Sequence, residues 1–459
     1  MTINLSLTIA CWRTFLAVVV LPMACSSFSV AQSIPDYVSD QFGHPPPYAE
    51  GPLTDAVSVA IEDVLAKSFT QTAWDPEDAA SFAVLETSGD ARLGWLLIDL
   101  MRFTWSRPFN DALEDTALSL LGIEPTLINR RHEITDHMLA WDIPAYPSYL
   151  RDKSRIYSRY LPKIAPLFAE GEIEWHKVSW GGVEIDTRPY DATDEVCHCI
   201  PAADNPPVTT AEEADWLDDD AIIFGIEING EARAYPLQIM EVREMVNDTL
   251  GGRDIGIPYC SLCGAAQAYF TDRMPSGIKR PVLRTSGLLI RSNKVMYDVN
   301  TQSVFDTFRG IATTGPLAEA GVVLEPLTIV TSDWGSWRTA HPNTTVLIED
   351  LALGRDFNLR HTRDANGPIF PVGDVDPRLP VHEDIIGVVT AEGQPVAFQR
   401  SKALLALLND QPVKSDGIRL ERSAGGLIAR NLSDASVPSH QAFWFAWSQF
   451  HPTTRLWPD

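Results

Sequence analysis

The chain has 459 residues and a formal net charge of −25 at pH 7, and 45% of its residues are hydrophobic. This length predicts two or more domains, and the apolar fraction is large enough for a buried core in each. The negative charge argues against binding to nucleic acid or to an anionic membrane surface, because both present phosphate groups that proteins contact with basic residues. We therefore expect neither as a partner.

The beginning of the chain has the pattern of an export signal. Arg13 precedes an apolar run over residues 15–24, and residues 29–31 (Ser-Val-Ala) have the small side chains of a cleavage site. The apolar run is too short for a membrane span. We expect residues 1–31 to be a signal peptide and the mature protein to be periplasmic or secreted. The alternative is a lipoprotein anchored through Cys25.

The next two segments differ in composition and in the structure that they predict. Residues 32–52 are rich in proline and are predicted to form an extended leader. From residue 53 to about 170 the apolar residues recur at helical spacing, for example between Leu93 and Leu100, which indicates short amphipathic helices. No further apolar run approaches the length of a membrane span, so no transmembrane helix is expected in the mature chain.

From about residue 175 the pattern becomes that of strands and turns. Asn229-Gly230 separates two apolar runs and favours the positive φ angles of a two-residue hairpin turn. A short helix is predicted over residues 237–246 and a strand over residues 255–259. We therefore expect an α+β fold, in which the helical N-terminal region (53–170) precedes an α+β domain (175–459).

The second domain contains an internal repeat. Residues 221–270 align with residues 384–432, with Gly225 on Gly387 and Asn247 on Asn409. Self-similarity of this kind predicts a duplicated unit of β-hairpin, helix and strand, with copy one at about 221–347 and copy two at about 384–457.

Each copy ends in the motif W-x-x-W-x-x-x-H-P-x-T, which begins at Trp334 in the first copy and at Trp444 in the second. Two tryptophans three residues apart lie on one face of a helix. We expect them to pack in the core of each copy, since large aromatic side chains dominate protein cores. The alternative is a paired aromatic platform for a ligand.

Only the first copy carries a Cys-x-x-Cys, formed by Cys260 and Cys263. A residue pair that one copy keeps and the other lacks indicates that the chemistry lies in the first copy. After removal of the signal peptide the other cysteines are Cys197 and Cys199, which flank His198. We expect the two cysteine pairs to lie close together and to form one four-sulfur site.

Three kinds of chemistry are open to these four cysteines. An oxidising compartment favours structural disulfides. Two closely spaced pairs also suit a tetrahedral zinc or copper ion, with His198 as a substitute ligand. A redox dithiol at Cys260 and Cys263 is the third possibility, and it needs a cation that lowers a thiol pKa, for which Arg243 is the candidate.

Several long motifs resemble one bacterial family. These are AYPLQIMEVREMVNDTLGG, IPYCSLCGAAQAYF, RTSGLLIRSNKVMYD and FWFAWSQFHPTT. They are similar to the family catalogued as domain of unknown function 3179, over residues 178–459. The resemblance implies no activity, because none is established for that family. Similar sequences have His at the position of Arg243, so a site of His plus Cys does not transfer to this chain. Arg243, Asn247 and Asp248 are candidate modulators of the cysteine site, although the Asn-Asp pair would alternatively cap a helix.

A second group of polar residues follows the cysteines. Three cations with interleaved polar side chains are typical of an anion pocket, and the candidates are Arg284, Ser286, Arg291, Asn293 and Lys294. The alternative is a pair of strands joined by a turn, with the cations facing solvent.

Together these patterns predict an exported protein with a cysteine-based site that binds a metal ion or exchanges electrons in the cell envelope. The alternative is a non-catalytic binding module whose cysteines form structural disulfides. Whether the protein is an enzyme does not follow from the sequence.

Overall fold

The computed structural model describes residues 34–70, 79–126, 129–192, 197–349 and 367–458. The predicted signal peptide, its cleavage site and Cys25 lie outside the described residues. The first described segments are helical, as the apolar spacing predicts. Their helices are α1 (Asp36–Phe42), α2 (Asp55–Thr70), α3 (Ala79–Ser88), α4 (Gly94–Met101), α5 (Arg107–Leu121), α6 (Arg130–Ala140) and α7 (Tyr149–Tyr160).

The predicted extended leader is wrong in one respect, because α1 lies within it. Val38 on α1 is completely buried in the core that the other helices form. The indole N–H of Trp141 also donates to the carbonyl of Gly43, directly after α1. Burial of an apolar residue and a tertiary hydrogen bond therefore stabilise a helix that the proline content did not predict.

A buried ion pair holds the helical region together. Lys153 on α7 donates to the carboxylate of Asp99 on α4, at 2.7 Å, and to the hydroxyl of Tyr149. Its ammonium also donates to the carbonyl of Val178, at the start of the first strand. The buried cluster around these helices continues into apolar residues of the strands, such as Leu288 and Val295. The helical region and the strands thus share one core.

The rest of the described chain contains 24 strands and five further helices. The strands of its first part are β1 (Val178–Trp180), β2 (Ala203–Asp204), β3 (Val208–Thr210), β4 (Ile222–Ile228), β5 (Glu231–Pro236), β6 (Met245–Leu250), β7 (Arg253–Cys260), β8 (Ala265–Ala266), β9 (Tyr269–Phe270), β10 (Leu283–Ile290), β11 (Asn293–Asp298), β12 (Val304–Asp306), β13 (Ile311–Ala312), β14 (Glu325–Pro326), β15 (Val330–Asp333) and β16 (Thr345–Leu347). The helices of this part are α8 (Leu237–Arg243), α9 (Gly315–Glu319) and α10 (Trp334–Ala340).

The last part has two helices, α11 (Arg400–Leu408) and α12 (Trp444–Phe450). Its strands are β17 (Asp384–Val389), β18 (Pro395–Gln399), β19 (Val413–Ser415), β20 (Ile418–Ser423), β21 (Gly426–Asn431), β22 (Ser436–Val437), β23 (Ser439–Phe443) and β24 (Arg455–Trp457). The predicted α+β class is confirmed. No helix in the described ranges has both the length and the apolar character that a membrane span requires.

The strands form five sheets in the described part of the chain. Their strand orders are β1-β10-β11-β12-β13, β14-β9-β7-β6-β2 with β8 beside β7, β15-β4-β5-β16-β3, β23-β17-β18-β24 and β19-β20-β21-β22. Neighbouring strands are antiparallel except in three pairs, which are β2 with β6, β5 with β16 and β18 with β24.

The two segments that align in sequence show the same order of elements. The order β15-β4-β5-β16 in the third sheet corresponds to β23-β17-β18-β24 in the fourth. One part of the alignment is wrong, because Asn247 lies within β6 whereas Asn409 follows the last residue of α11. Helix α11 has nine residues and α8 has seven, so the second segment uses its Asn at the helix end.

The aromatic motif packs in the core in both segments. Trp337 and Trp447 are buried, and their indole N–H groups donate to Thr344 and Thr454 respectively. Each of these tryptophans also lies against a glycine of the neighbouring strand, where a Cβ would overlap the ring. Core packing therefore describes these tryptophans better than an exposed ligand platform.

Candidate functional site

The Cys-x-x-Cys occupies a tight hairpin turn. Cys260 is the last residue of β7 and pairs with Ala265 of β8, so residues 261–264 form the turn between the two strands. The backbone N–H of Cys263 donates to the carbonyl of Cys260 at 3.1 Å, which closes the turn. Gly264 follows with φ 58°, a backbone conformation that favours glycine. This turn brings the two side chains to the same side.

The two sulfurs are in direct contact. Sγ of Cys260 and Sγ of Cys263 lie 2.7 Å apart, and neither cysteine is part of a disulfide. The exposed fractions of the two residues are 2% and 0%. The thiol of Cys263 also lies 3.3 Å from Oδ1 of Asn293 and 3.5 Å from the carbonyl of Ser292. The structure therefore holds a buried pair of thiols at a separation that permits a hydrogen bond between them.

The surroundings of Cys260 favour its thiolate. Burial raises the pKa of the Cys260 thiol, but the hydrogen bond from Cys263 lowers it. The carboxylate of Glu244 raises this pKa, whereas the backbone N–H and the ammonium of Lys294 lower it. The net effect is a pKa below the ordinary value of 9.0. A buried thiol with a lowered pKa is unusual, because burial alone disfavours the charged form.

Lys294 is held beside the cysteines by a network of buried contacts. Its ammonium donates to the carbonyl of Glu244 at 2.5 Å and to the carbonyl of Tyr259 at 3.0 Å. It also forms an ion pair with the carboxylate of Glu244 at 3.3 Å. Glu244 directly follows α8 with φ 48°, and its side chain accepts a hydrogen bond from the hydroxyl of Ser261, which lies between the two cysteines. Strand β11 and the end of α8 thus place opposite charges at the cysteine turn.

A small cavity of about 80 Å³ lies against Cys260. Lys294 and Glu244 line it together with apolar residues of β10 and Phe370. The hydroxyl of Thr285, on the same wall, has no hydrogen-bond partner within the described residues. A cavity of this size exceeds the roughly 10–15 Å³ that one water molecule needs, so it has room for a small group beside Cys260.

The other two cysteines form a separate pair. Cys197 and Cys199 are joined by a disulfide, and Cys199 forms an isolated β-bridge with Glu184. Among the described residues, the group of potential metal ligands within 4.8 Å of one another is Asp186, Cys197 and Cys199. The predicted four-sulfur site is wrong, because this group contains Cys197 and Cys199 but neither Cys260 nor Cys263. The disulfide is local, since a single residue separates its two cysteines. His198 is exposed and is not part of this group.

Residues 197–421 match the family described as "Protein of unknown function (DUF3179)". The chain belongs to this family. No curated protein and no solved structure matches the chain. The matched DUF3179 segment includes both cysteine pairs as well as Glu244 and Lys294.

Arg243 of this DUF3179 chain does not supply the cation at the cysteines. Its guanidinium forms an ion pair with Glu349 at 2.6 Å and also approaches the carbonyls of Pro201 and Ala202. The prediction of Arg243 as the activating cation is therefore wrong, and Lys294 is the cation at Cys260. Glu244 was not identified from the sequence as a residue of this site. The only signal for it in the sequence is an acidic residue directly after Arg243.

Asn247 and Asp248 lie in a strand and cap no helix, so that alternative is wrong. The side chain of Asn247 donates to Asp204 at 2.8 Å and exchanges two hydrogen bonds with the backbone of Leu283. Asp248 accepts hydrogen bonds from Arg233 and Tyr235. These contacts connect strands, and they place both side chains in structural roles.

The predicted anion pocket does not form, because its three cations have different carboxylate partners. Arg284 pairs with Asp204 at 2.6 Å, and Arg291 pairs with Asp374 at 3.1 Å. Lys294 pairs with Glu244, as described above. The hydroxyl of Ser286 donates to a backbone carbonyl of β11, and Asn293 faces Cys263. The alternative prediction of two strands joined by a turn matches β10 and β11, but these cations are largely buried rather than directed to solvent.

Proposed function

We propose that this protein is a thiol oxidoreductase of the cell envelope, in which Cys260 and Cys263 alternate between a dithiol and a disulfide. The observation that carries the proposal is the contact between the two sulfurs, 2.7 Å apart, beside a buried ammonium. A lowered pKa increases the fraction of the thiol that is ionised at a given pH. The thiolate is the nucleophile in thiol–disulfide exchange. The export signal predicted from the sequence supports the location, since such exchange is common in oxidising compartments.

In the proposed reaction Cys260 reacts with the substrate first and Cys263 reacts second. The thiolate of Cys260 attacks one sulfur of a substrate disulfide, forms a mixed disulfide and releases the other substrate sulfur as a thiolate. The thiol of Cys263 gives its proton to that thiolate and attacks Sγ of Cys260, which releases the second substrate sulfur. In balance, the dithiol loses two electrons and the proton of Cys263, and the substrate leaves as one thiol and one thiolate.

Burial restricts the substrate. Both sulfurs are closed off from solvent, and the space beside Cys260 is a cavity of about 80 Å³. A folded protein cannot present a disulfide to such a space without opening of the turn. We infer that the substrate is a low-molecular-weight disulfide, one sulfur of which enters the cavity.

The proposal is tested by redox titration of the purified full chain in buffers of reduced and oxidised glutathione. We expect one reversible two-electron transition that is absent from Cys260→Ser and from Cys263→Ser. The matched control is the double variant Cys197→Ser/Cys199→Ser, which removes two sulfurs elsewhere and should keep the transition. A chain whose Cys260 and Cys263 stay reduced across the glutathione range, or a transition that survives in both single variants, would contradict the proposal.

Metal binding is the second candidate function, and it rests on the group of Asp186, Cys197 and Cys199. Reduction of the disulfide would give two thiolates beside a carboxylate, a set that suits zinc or a copper ion. Asp186 already accepts hydrogen bonds from Arg188 and from the backbone of Ala202, which would orient the carboxylate. We expect metal uptake by reduced protein and none by oxidised protein. Uptake that persists in Cys197→Ser/Cys199→Ser would rule out this site.

A further inference from the structure

Two arginines of the helical region have no carboxylate partner among the described residues. They are Arg102, directly after α4, and Arg131, in the first turn of α6. The chain contains 61 acidic residues and only 36 Lys and Arg residues, so carboxylates are abundant as partners for its cations. The neighbouring Arg130, for example, pairs with Asp115 at 3.2 Å. Two half-buried cations without such a partner are therefore unusual in this chain.

Arg102 contacts two parts of the wall of the thiol cavity. Its guanidinium carbon lies 5.7 Å from the ring centre of Phe370, which lines that cavity together with Cys260. Its Nε donates to the carbonyl of Trp180 at 2.8 Å, and the next residue, Gly181, also lines the cavity. Arg102 itself does not line the cavity, so its guanidinium lies behind these two wall residues.

Arg131 approaches the same place from α6. The ring of the next residue, His132, lies 6.4 Å from the ring of Phe370. Burial and the nearby charge of Arg102 lower the pKa of Arg131 to about 10, so Arg131 stays charged at pH 7. Burial and the charges of both arginines lower the pKa of His132 to about 4, so its ring is neutral at pH 7. The two guanidinium groups are therefore close enough to repel each other, and His132 adds no charge to them.

Both guanidinium groups are accessible from solvent. The side chain of Arg131 donates no hydrogen bond within the described residues, and that of Arg102 donates only the one to Trp180. Both residues are half-buried, and their nitrogens without partners keep some surface in contact with water. A molecule in solution can therefore contact these nitrogens directly.

Two like charges at one half-buried place are unfavourable in the free protein. Withdrawal of a charge from water without a partner costs free energy, and repulsion between the two arginines adds to this cost. The rings of Trp180 and Phe370, over which Arg102 lies, offset part of the cost for Arg102 alone. An anion between the guanidinium groups would remove both penalties. A carboxylate suits this place, because its two oxygens match the paired N–H groups of an arginine.

We propose that Arg102 and Arg131 bind the carboxylate of a small organic anion, and that this anion is the disulfide substrate of the two thiols. The second part rests on the redox function proposed above. Arg102 and the thiol cavity both adjoin Phe370, so one small molecule can extend from one to the other past this ring. The substrate class is therefore a disulfide of low molecular weight that carries carboxylates. The exchange reaction is the one described above.

The substrate class is tested with two disulfides of nearly equal size, dithiodipropionate and its uncharged diamide. Each is mixed in excess with the reduced full chain, and oxidation of Cys260 and Cys263 is followed by alkylation and mass spectrometry of their peptide. The measured quantity is the ratio of the rate constants for the anionic and the neutral disulfide. Arg131→Gln and Arg102→Gln should each lower this ratio by about tenfold, or about 1.4 kcal/mol, which is near the lower end for a hydrogen bond to a charged group.

Arg130→Gln is the matched control, because it removes the same charge one residue away from Arg131. Arg130 pairs with Glu114 and Asp115, so this variant should leave the ratio unchanged. An equal loss in Arg130→Gln and Arg131→Gln, or no loss in Arg131→Gln, would overturn the inference. Arg131→Gln should also keep or raise the thermal midpoint, since it removes a charge without a partner. A lower midpoint would indicate a structural partner for this guanidinium and would contradict the inference.

Binding is measured separately from redox chemistry in Cys260→Ser/Cys263→Ser, which has no thiols at this site. Calorimetric titration should show one molecule of dithiodipropionate per chain and binding of the diamide that is at least about tenfold weaker. Absence of dithiodipropionate binding would overturn the anion site, while the redox titration of the unchanged chain would still decide the redox function. Binding without a redox transition in the unchanged chain would support the anion site and overturn the substrate assignment together with the redox function.

Discussion

The ion pair of Lys294 and Glu244 should control both the stability of the protein and the pKa of Cys260. The ammonium lowers this pKa and the carboxylate raises it. Lys294→Met should therefore raise the pKa of Cys260, and Glu244→Gln should lower it. The two substitutions should thus shift the pKa of Cys260 in opposite directions. General loosening of the site would shift it in the same direction in both variants, so the two explanations are distinguished.

The cost in stability follows from burial. The exposed fractions of the two side chains are 3% and 6%, and their charged atoms lie 3.3 Å apart. Lys294→Met leaves the buried carboxylate of Glu244 without this cation and should lower the free energy of unfolding by about 3–5 kcal/mol. Glu244→Gln should cost only about 1–2 kcal/mol, since Lys294 keeps its bonds to two backbone carbonyls. The double variant should be more stable than the sum of the two losses predicts.

Stability should also depend on pH through Cys260. Its pKa in the folded, reduced protein lies below the ordinary value of 9.0. Ionised Cys260 therefore stabilises the reduced protein fully above pH 9.0, and this contribution is lost as the pH falls through the folded pKa. Lys294→Met should reduce the pH dependence, since its Cys260 titrates closer to the unfolded value.

The assays are urea unfolding, followed by tryptophan fluorescence, and ultraviolet titration of the thiolate, with Cys260→Ser as the blank. Reduced protein is used throughout, so that the disulfide form does not contribute. If both single variants shift the thiolate titration in the same direction, or if neither shifts it, the assignment of Lys294 and Glu244 is wrong. A loss in Lys294→Met below about 1 kcal/mol would show that the pair is solvated rather than buried.

Three further outcomes are expected. Replacing Cys197 and Cys199 together with Ser should cost about 1.6 kcal/mol in urea unfolding, because the disulfide closes a loop of only three residues; a loss above about 3 kcal/mol would contradict this entropic reasoning. Gly387→Ala should cost about 1–3 kcal/mol in the same assay, since its Cβ would overlap the ring of Trp447, and an unchanged midpoint would show that the ring moves freely. His440 binds a proton only below about pH 3 in the folded protein, so stability should fall by about 1.4 kcal/mol per pH unit below 6.5 on its account; His440→Phe should remove that part of the slope, and an unchanged slope would refute it.

Much of the local structure follows from neighbouring residues. The Asn229-Gly230 turn, the apolar spacing of the helices and the sequence motifs of the family are short-range patterns, and the structure and the family match agree with them. The contact of Cys260 with Cys263 also has a local origin, because a spacing of two intervening residues lets one hairpin turn bring both sulfurs together. Leader helix α1 was missed because tertiary burial of Val38 stabilises it, and no local pattern records that burial.

The chemical character of the site depends on contacts between distant residues. Lys294 lies more than thirty positions after Cys260 in the chain, and only the packing of β11 against β7 and the end of α8 brings its ammonium to the thiol. From the sequence, Arg243 was the predicted activating cation. The sequence does not show that its guanidinium forms an ion pair with Glu349. The sequence by itself determined the cysteine pair, the α+β class and the family. The tertiary structure decided which charges surround the pair, because charges act through distance and burial in space and not through separation along the chain.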